Sequence, residues 1–261
     1  MTLSNRTKLS LVQFLAEIEI GGLDLLLEKY GARRGVISEW PARKSDIVRD
    51  WVFDATHDAR FALLDELART AGAIRNSISP HYRYDERMGE LAACLELDGY
   101  RIENGGLTNI EPTIEGVVSV VDDLSAALND SGLAEATEIQ RVIDSSTENF
   151  IRQEPDYNAC LVSARVALQT LATAIATRSP NAATSNHQRT NWGQTIAFLK
   201  TEGFIGPAEE QGLTGVFSLI SPGAHRPIGL NEREFARLGR SLAVSMTFFL
   251  IRRYNGMRGV Q

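Results

Sequence analysis

The sequence predicts a mainly α-helical protein with one small β-hairpin. Three observations predict it. Apolar residues recur at spacings of three and four through most of the chain. Strand-like runs around a turn signal appear in one stretch, residues 100–110. Gly, Pro, Asn and Asp fall between the periodic segments, where helices must stop. At 261 residues with 43% apolar content, the chain can bury one large core or two modest ones.

Residues 9–30 carry Leu11, Phe14, Leu15 and Ile18, then Leu23, Leu26 and Leu27 after Gly21-Gly22, a pattern that predicts two short helices broken at the glycines. Ser45-Asp46 ahead of Val48, Val52 and Phe53 predicts a capped helix start. Another helix follows over about 60–71, and residues 75–80, ending in Pro80, interrupt the pattern. Residues 85–97 resume it with Met88, Leu91, Ala92 and Leu95 on one side. The runs flanking Asn104-Gly105-Gly106 predict a tight hairpin, because such turns need positive φ. A helix followed by a hairpin resembles a wing; the alternative is a flap that covers a helical core.

From Ile114 the spacing is regular through Val117, Val121, Leu124 and Leu128, then Leu133, Ala136, Ile139 and Ile143, an antiparallel helix pair. Asp156 is a candidate N-cap for a helix with the stripe Leu161, Ala164, Leu168, Leu171 and Ile175. Residues 179–191 are small and polar, and helices are expected over 192–202, 208–219 and 231–255. These elements divide the chain into an amino-terminal accessory helical domain with the hairpin (1–112), an acidic helical connector (113–153) and a carboxyl-terminal helical bundle (154–261).

The net charge of −6 argues against a generally basic nucleic-acid protein, but it is unevenly spread. Residues 90–154 hold 14 acids against 3 bases, and residues 222–261 hold 7 Arg against 2 Glu. Arg252, Arg253 and Arg258 near the end of the last helix complement its dipole; alternatively the basic end serves an anionic ligand or the acidic middle of another copy. Cys94 and Cys160 sit in apolar helical patterns without metal-type spacing, so buried, reduced thiols are expected. The amino terminus lacks a secretion signal and the apolar run 242–251 is short for a bilayer, which together predict a cytoplasmic protein with no membrane segment.

His57, His81, His187 and His225 are far apart, so no metal site or cofactor is expected. The phosphate loop Gly-x-x-x-x-Gly-Lys and the nucleophile turn Gly-x-Ser-x-Gly are absent. The chemistry-bearing stretch is Ser221-Pro222-Gly223-Ala224-His225-Arg226-Pro227, a punctuated turn ahead of a helix on which Arg233, Arg237 and Arg240 are spaced by four and three. That spacing places the three arginines on one face, with Phe235, Leu238, Leu242 and Phe249 towards the core. With Arg226 they form a candidate phosphate site, since guanidinium groups bind phosphate in a bidentate way. The alternative is a solvated helix face balanced by Glu232 and Glu234. His225 is the candidate acid–base residue and Arg226 the candidate stabilising cation for metal-independent RNA cleavage; a His225 ring that merely fixes its loop is the other reading.

Ser163-Ala164-Arg165-Val166-Ala167-Leu168, the loop Leu219-Ile220-Ser221-Pro222-Gly223-Ala224-His225-Arg226-Pro227 and Ala236-Arg237-Leu238-Gly239-Arg240-Ser241-Leu242 resemble the carboxyl-terminal domain of bacterial abortive-infection proteins, grouped loosely with HEPN-type helical domains. Ser79-Pro80-His81-Tyr82-Arg83-Tyr84-Asp85-Glu86-Arg87, with Leu97-Asp98-Gly99-Tyr100, resembles the accessory amino-terminal part of similar proteins. The resemblance implies phage defence, often through RNA cleavage by a homodimer whose site lies at the bundle interface. It adds Arg165 to the candidate RNA-binding residues. The HEPN nuclease pattern of an Arg four to six residues before a His is missing ahead of His225; Arg75 and His81 fit the spacing but lie outside the bundle. The competing expectation is a non-catalytic adaptor whose basic end docks on a second copy or a partner defence protein. A third is an amino-terminal DNA sensor acting through the hairpin.

Overall fold

The computed structural model describes residues 3–110, 119–183, 191–221 and 229–258, which are mainly helical with one antiparallel hairpin. Two compact units divide the chain, Met1–Ser119 and Val120–Gln261.

In the first unit α1 (Asn5–Glu17) packs on α4 (Lys44–Asp54) and α7 (His81–Leu97). Between them in sequence lie α2 (Ile20–Lys29), the single turn α3 (Val36–Glu39), a 3₁₀ turn (Pro41–Arg43), α5 (His57–Arg69) and α6 (Ala71–Ser77). Leu11, Phe14, Leu15, Leu23, Val48, Leu63 and Leu91 are fully buried together, and Phe14 meets the Tyr84 ring edge-on at 5.6 Å. The first helix break falls at Ile18, not at Gly21-Gly22, which lie inside α2. The reason is tertiary: Lys44 Nζ donates to the carbonyls of Ala16 (2.6 Å) and Ile18 (2.5 Å), satisfying the end of α1 from another helix. Likewise α4 starts at Lys44 behind the 3₁₀ turn, with no side-chain cap from Ser45, while Thr56 caps α5 by accepting from Ala59 N at 3.3 Å. Of residues 75–80, expected to interrupt the pattern, 75–77 close the short helix α6 and the break falls at 78–80.

Asp24, 5% exposed, holds α3 in place. Its carboxylate accepts from the amides of Ile37 (2.9 Å) and Ser38 (2.8 Å) and from the Ser38 hydroxyl. Burial alone raises the pKa of this group, but the Ser38 hydroxyl and the two amides outweigh it and hold the carboxyl below its ordinary value.

Strands β1 (Tyr100–Glu103) and β2 (Gly106–Asn109) pair with Ile102 opposite Leu107, around Asn104 and Gly105, which both have positive φ (52° and 74°). The hairpin lies on α5: Leu107 N donates to Asp65 Oδ1 at 3.1 Å, and the buried Tyr100 ring meets Phe61 at 4.9 Å. Its one base, Arg101, is 3.0 Å from Glu103 and 3.6 Å from Glu96. This is the geometry of a flap over a core.

The second unit contains α8 (Val120–Asp130), α9 (Ala136–Ile151), α10 (Tyr157–Thr177), α11 (Trp192–Thr201), α12 (Pro207–Leu219) and α13 (Glu232–Arg258). Helix α10 begins at Asp156, which accepts from Ala159 N at 2.8 Å. Cys160, Ala164, Leu168, Leu171 and Ala172 are buried along it against α9 and α13. By length and composition α10 is apolar enough to cross a membrane, and just over half of its apolar window is buried inside this unit. Helices α8 and α9, read from sequence as a connector, pack here on α13 and α10 and share their core. Cys94 and Cys160 are buried free thiols; desolvation pushes Cys94 up to about 12 and raises Cys160 as well.

Gly239 marks a tight crossing. A Cβ there would lie 2.7 Å from Leu161 Cδ2 on α10 and 2.8 Å from Ile220 Cγ2 after α12. Gly239→Val is expected to lower unfolding free energy by about 1–3 kcal/mol, read from urea denaturation, because both neighbours are buried and cannot yield freely. Because the Asp24 carboxyl is depressed in the folded state, its contribution is complete above an unfolded pKa of about 3.9 and is lost as pH falls through the lower folded value. Denaturation midpoints measured from pH 5 to pH 2.5 should therefore fall less in Asp24→Asn, which starts lower, than in wild type.

Candidate functional site

The crossing at Gly239 gathers the segments that carry the candidate residues. Arg240 follows Gly239 directly, Arg165 lies one turn beyond Leu161, and Ile220 comes two residues before the 222–228 segment in the chain. His225 and Arg226, the proposed catalytic pair, fall outside the described residues. The positions of Arg165, Arg233, Arg237 and Arg240 are described.

The four arginines do not share a solvated face. Arg240 is 4% exposed and donates from Nη2 to Thr147 Oγ1 on α9 at 2.6 Å. Leu238, expected in the core, is 40% exposed instead. The face assignment on α13 is thus corrected: the buried side includes Phe235, Ala236, Gly239, Arg240 and Ala243. The physical reason is that α13 is covered by α9 and α10 together with α8 and α12, so its buried arc is wider than one apolar stripe. A guanidinium fits inside such an arc when a hydroxyl meets it, as Thr147 does.

Arg233 and Arg237 are half-buried. The Arg233 guanidinium lies over the Phe150 ring, 5.3 Å from its centroid, and Phe150 meets Tyr157 edge-on at 5.7 Å. Thr147 and Phe150 are one turn apart on α9, so Arg233 and Arg240 are both held against the end of that helix. Asn231 and Glu234 cap α13 reciprocally, each side chain accepting from the other's amide at 2.9 Å.

Arg165 is half-buried on α10, its guanidinium 4.6 Å from the centroid of Phe217. Trp192 stacks on the same ring at 4.1 Å with planes 6° apart. Two flat groups this close to one ring must take its two faces, giving a cation–ring–indole stack across α10, α12 and α11. Arg165 Nε is buried without a hydrogen-bond acceptor, and so is the indole Nε1 of Trp192. The stack orients Arg165 but leaves donor capacity on its guanidinium.

Electrostatics separate two sides of this end of the unit. A cleft of about 590 Å³ between the α9–α10 turn and the start of α13 is lined by Arg152, Glu154, Asp156, Tyr157, Glu232 and Phe235, among others. Its cation, Arg152, is 3.3 Å from Asp156, so carboxylates dominate and phosphate is disfavoured there. At the other end of α13, Arg253 pairs with Glu209 at 3.2 Å, and Arg252 lines a cleft with Asp123 and Asp130 of α8. Part of the acidic middle therefore lies near the basic end within one copy. Arg75, which has nuclease-like spacing to His81, makes a bidentate pair with Asp85 (2.7 and 2.8 Å) that ties α6 to α7. Among the described residues no group of three or more His, Cys, Asp or Glu is placed to hold a metal ion.

Sequence reasoning missed Thr147, Phe150, Phe217 and Trp192, the groups that hold the arginines. One signal was present: the apolar stripe of α9 runs Ile139, Ile143, then Ser146-Thr147, then Phe150, and polar residues within a buried stripe imply buried partners.

Comparison with known proteins finds no matching family model, no matching curated protein and no matching solved structure.

Arg240→Ala removes a buried donor and its packing, so a loss of about 2–3 kcal/mol of unfolding free energy is expected. Arg233→Ala, which gives up a ring contact on a half-buried side chain, is expected to cost about 0.5–1 kcal/mol. Paired urea titrations check both, and equal losses would contradict this reading of the burial.

Proposed function

We propose that this chain is an abortive-infection type antiphage protein that binds RNA through its HEPN-like carboxyl-terminal unit, as a homodimer in the cytoplasm. The observation that supports this reading is that Arg165, one turn along α10 from Leu161, lies near the Gly239 crossing, where Ile220, two residues before the 222–228 segment, also packs. Arg165 and Arg237 contact phosphate in this reading. Arg240 and Arg233 act from behind, one fixing α13 to α9 and the other holding the start of α13 on Phe150.

Cleavage, where it occurs, follows from ordinary acid–base chemistry. His225 takes the proton of the RNA 2′-hydroxyl as that oxygen attacks the adjacent phosphorus, and Arg226 with Arg165 balances the charge on the phosphorane. The bond to the 5′-oxygen of the next nucleotide breaks, and that oxygen receives a proton, leaving a cyclic phosphate. No metal or cofactor is needed for this route.

A second reading is favoured by one observation: Val162, Val166 and Leu238 are each 40% exposed on α10 and α13. Exposed apolar residues on these helices suit a protein-docking adaptor, with the arginines serving structure alone.

Incubation of the full chain with total bacterial RNA separates the readings. The nuclease reading expects fragments ending in cyclic phosphate, cut at least about 100-fold more slowly by His225→Ala. Uncut RNA with both proteins removes catalysis but keeps binding if affinity falls steeply between about 50 and 200 mM salt and weakens in Arg237→Ala. No RNA retention at low salt, with a dimer mass that Val166→Asp reduces, selects the adaptor.

A further inference from the structure

The first unit carries a surface that the proposed RNA site does not use. Trp40 stands between α3 and the 3₁₀ turn with 59% of its surface exposed. Leaving an indole in water forfeits hydrophobic stabilisation that a core position would collect. Its backbone is nonetheless fixed on both sides. Trp40 N donates to Ile37 O at 3.1 Å and Trp40 O accepts from Arg43 N at 2.9 Å, while Asp24 clamps Ile37 and Ser38, and Lys44 is bound to the end of α1. A rigid mount under an exposed ring is what a stacking platform requires.

Exposed cations outnumber exposed carboxylates in the sequence around the ring, while the Asp24 and Glu28 carboxylates are turned onto the amides of Gly35, Ile37 and Ser38. Residues 33–49 contain five cations, Arg33, Arg34, Arg43, Lys44 and Arg49, against two carboxylates, Glu39 and Asp46, in a chain whose net charge is −6. Arg34 is exposed and forms no ion pair among the described residues. Arg33 makes a two-point pair with Glu39 (3.1 and 2.6 Å) in which both side chains are more than half exposed, so the pair is screened by solvent and open to a competing anion. Arg43 is 3.8 Å from Asp46, at the edge of pairing distance. Because α3 is one turn, about 6 Å long, Arg33 and Arg34 before it remain near Trp40 after it. One accessible indole with exposed arginines on the residues flanking it in the chain matches a base and its flanking phosphates. Its exposed neighbours are Ser38, Glu39, Pro41, Ala42 and Arg43, of which only the small Pro41 and Ala42 are apolar, so it lacks the broad apolar area that insertion into a lipid surface needs.

We propose that this patch is a second nucleic-acid site, in which a base of single-stranded RNA or DNA stacks on Trp40 and Arg33, Arg34 and Arg43 hold the adjacent phosphates. Duplex is excluded because its bases offer no free face.

The test uses the full chain, a 12-nucleotide oligouridylate and the emission that Trp40→Phe removes, which isolates Trp40 from Trp51 and Trp192. The expected result is quenching of that emission by the oligonucleotide and a dissociation constant raised about tenfold or more in Trp40→Ala. Trp40→Phe should restore most of the affinity, and Arg34→Ala should weaken binding and flatten its salt dependence. Each variant is checked for an unchanged thermal midpoint, which the exposure of Trp40 and Arg34 predicts. Unchanged emission and equal affinity in wild type and Trp40→Ala overturn the proposal, as does quenching by phosphatidylglycerol vesicles without quenching by the oligonucleotide. Because the readout follows Trp40, it is independent of Arg165 and Arg237. Quenching that survives Arg237→Ala keeps this site even if the carboxyl-terminal reading fails.

Discussion

The close approach of α13 to α10 at Gly239 is the constraint from which the carboxyl-terminal unit follows. A Cβ at Gly239 would come within 3 Å of the Leu161 and Ile220 side chains, so glycine lets these buried groups pack directly on α13, and the next residue, Arg240, is buried as well. An arginine cannot stay buried unless its donors are met, and Thr147 on α9 meets one of them. The same crossing brings Arg165 and the exit of α12 to one place. The meeting of these segments at this end of the bundle is thus a consequence of packing between helices far apart in sequence.

Arginine does two kinds of work in this protein. Arg165, Arg233 and Arg253 lay guanidinium groups over the rings of Phe217, Phe150 and Phe204, and Arg60 donates to the last carbonyls of α4. These contacts use the flat, delocalised cation as packing material and as a helix cap. Elsewhere, near Trp40, Arg34 is exposed and forms no ion pair among the described residues, and the exposed Arg43 is 3.8 Å from Asp46. Composition alone treats the two groups alike, whereas burial separates them. Local charge excess is informative about ligands only where the side chains are not already engaged.

The acidic stretch shows the same distinction. Its apolar positions Leu124, Leu128, Ile139 and Ile143 belong to the core shared by α10 and α13. On α8 and α9 the carboxylates of Asp130, Glu138, Asp144 and Glu148 are exposed, and Asp123 and Asp130 line a cleft with Arg252. A segment that looks like a charged linker is thus a wall of the bundle, because amphipathic helices segregate charge and core onto opposite sides.

Most of the helices and the hairpin were legible in the residues alone, since spacing, caps such as Asp156 and the Asn104-Gly105 turn are local properties. Where sequence reasoning missed, the cause was remote: Lys44 ending α1, Asp24 fixing α3, and four neighbouring helices widening the buried arc of α13 until Arg240 lay inside it. Periodicity tells which residues share a face, but the number of partners a helix acquires decides how much of its circumference is core. That number depends on contacts between distant segments, so the residue types of the candidate site could be read in one dimension and their exposure only in three.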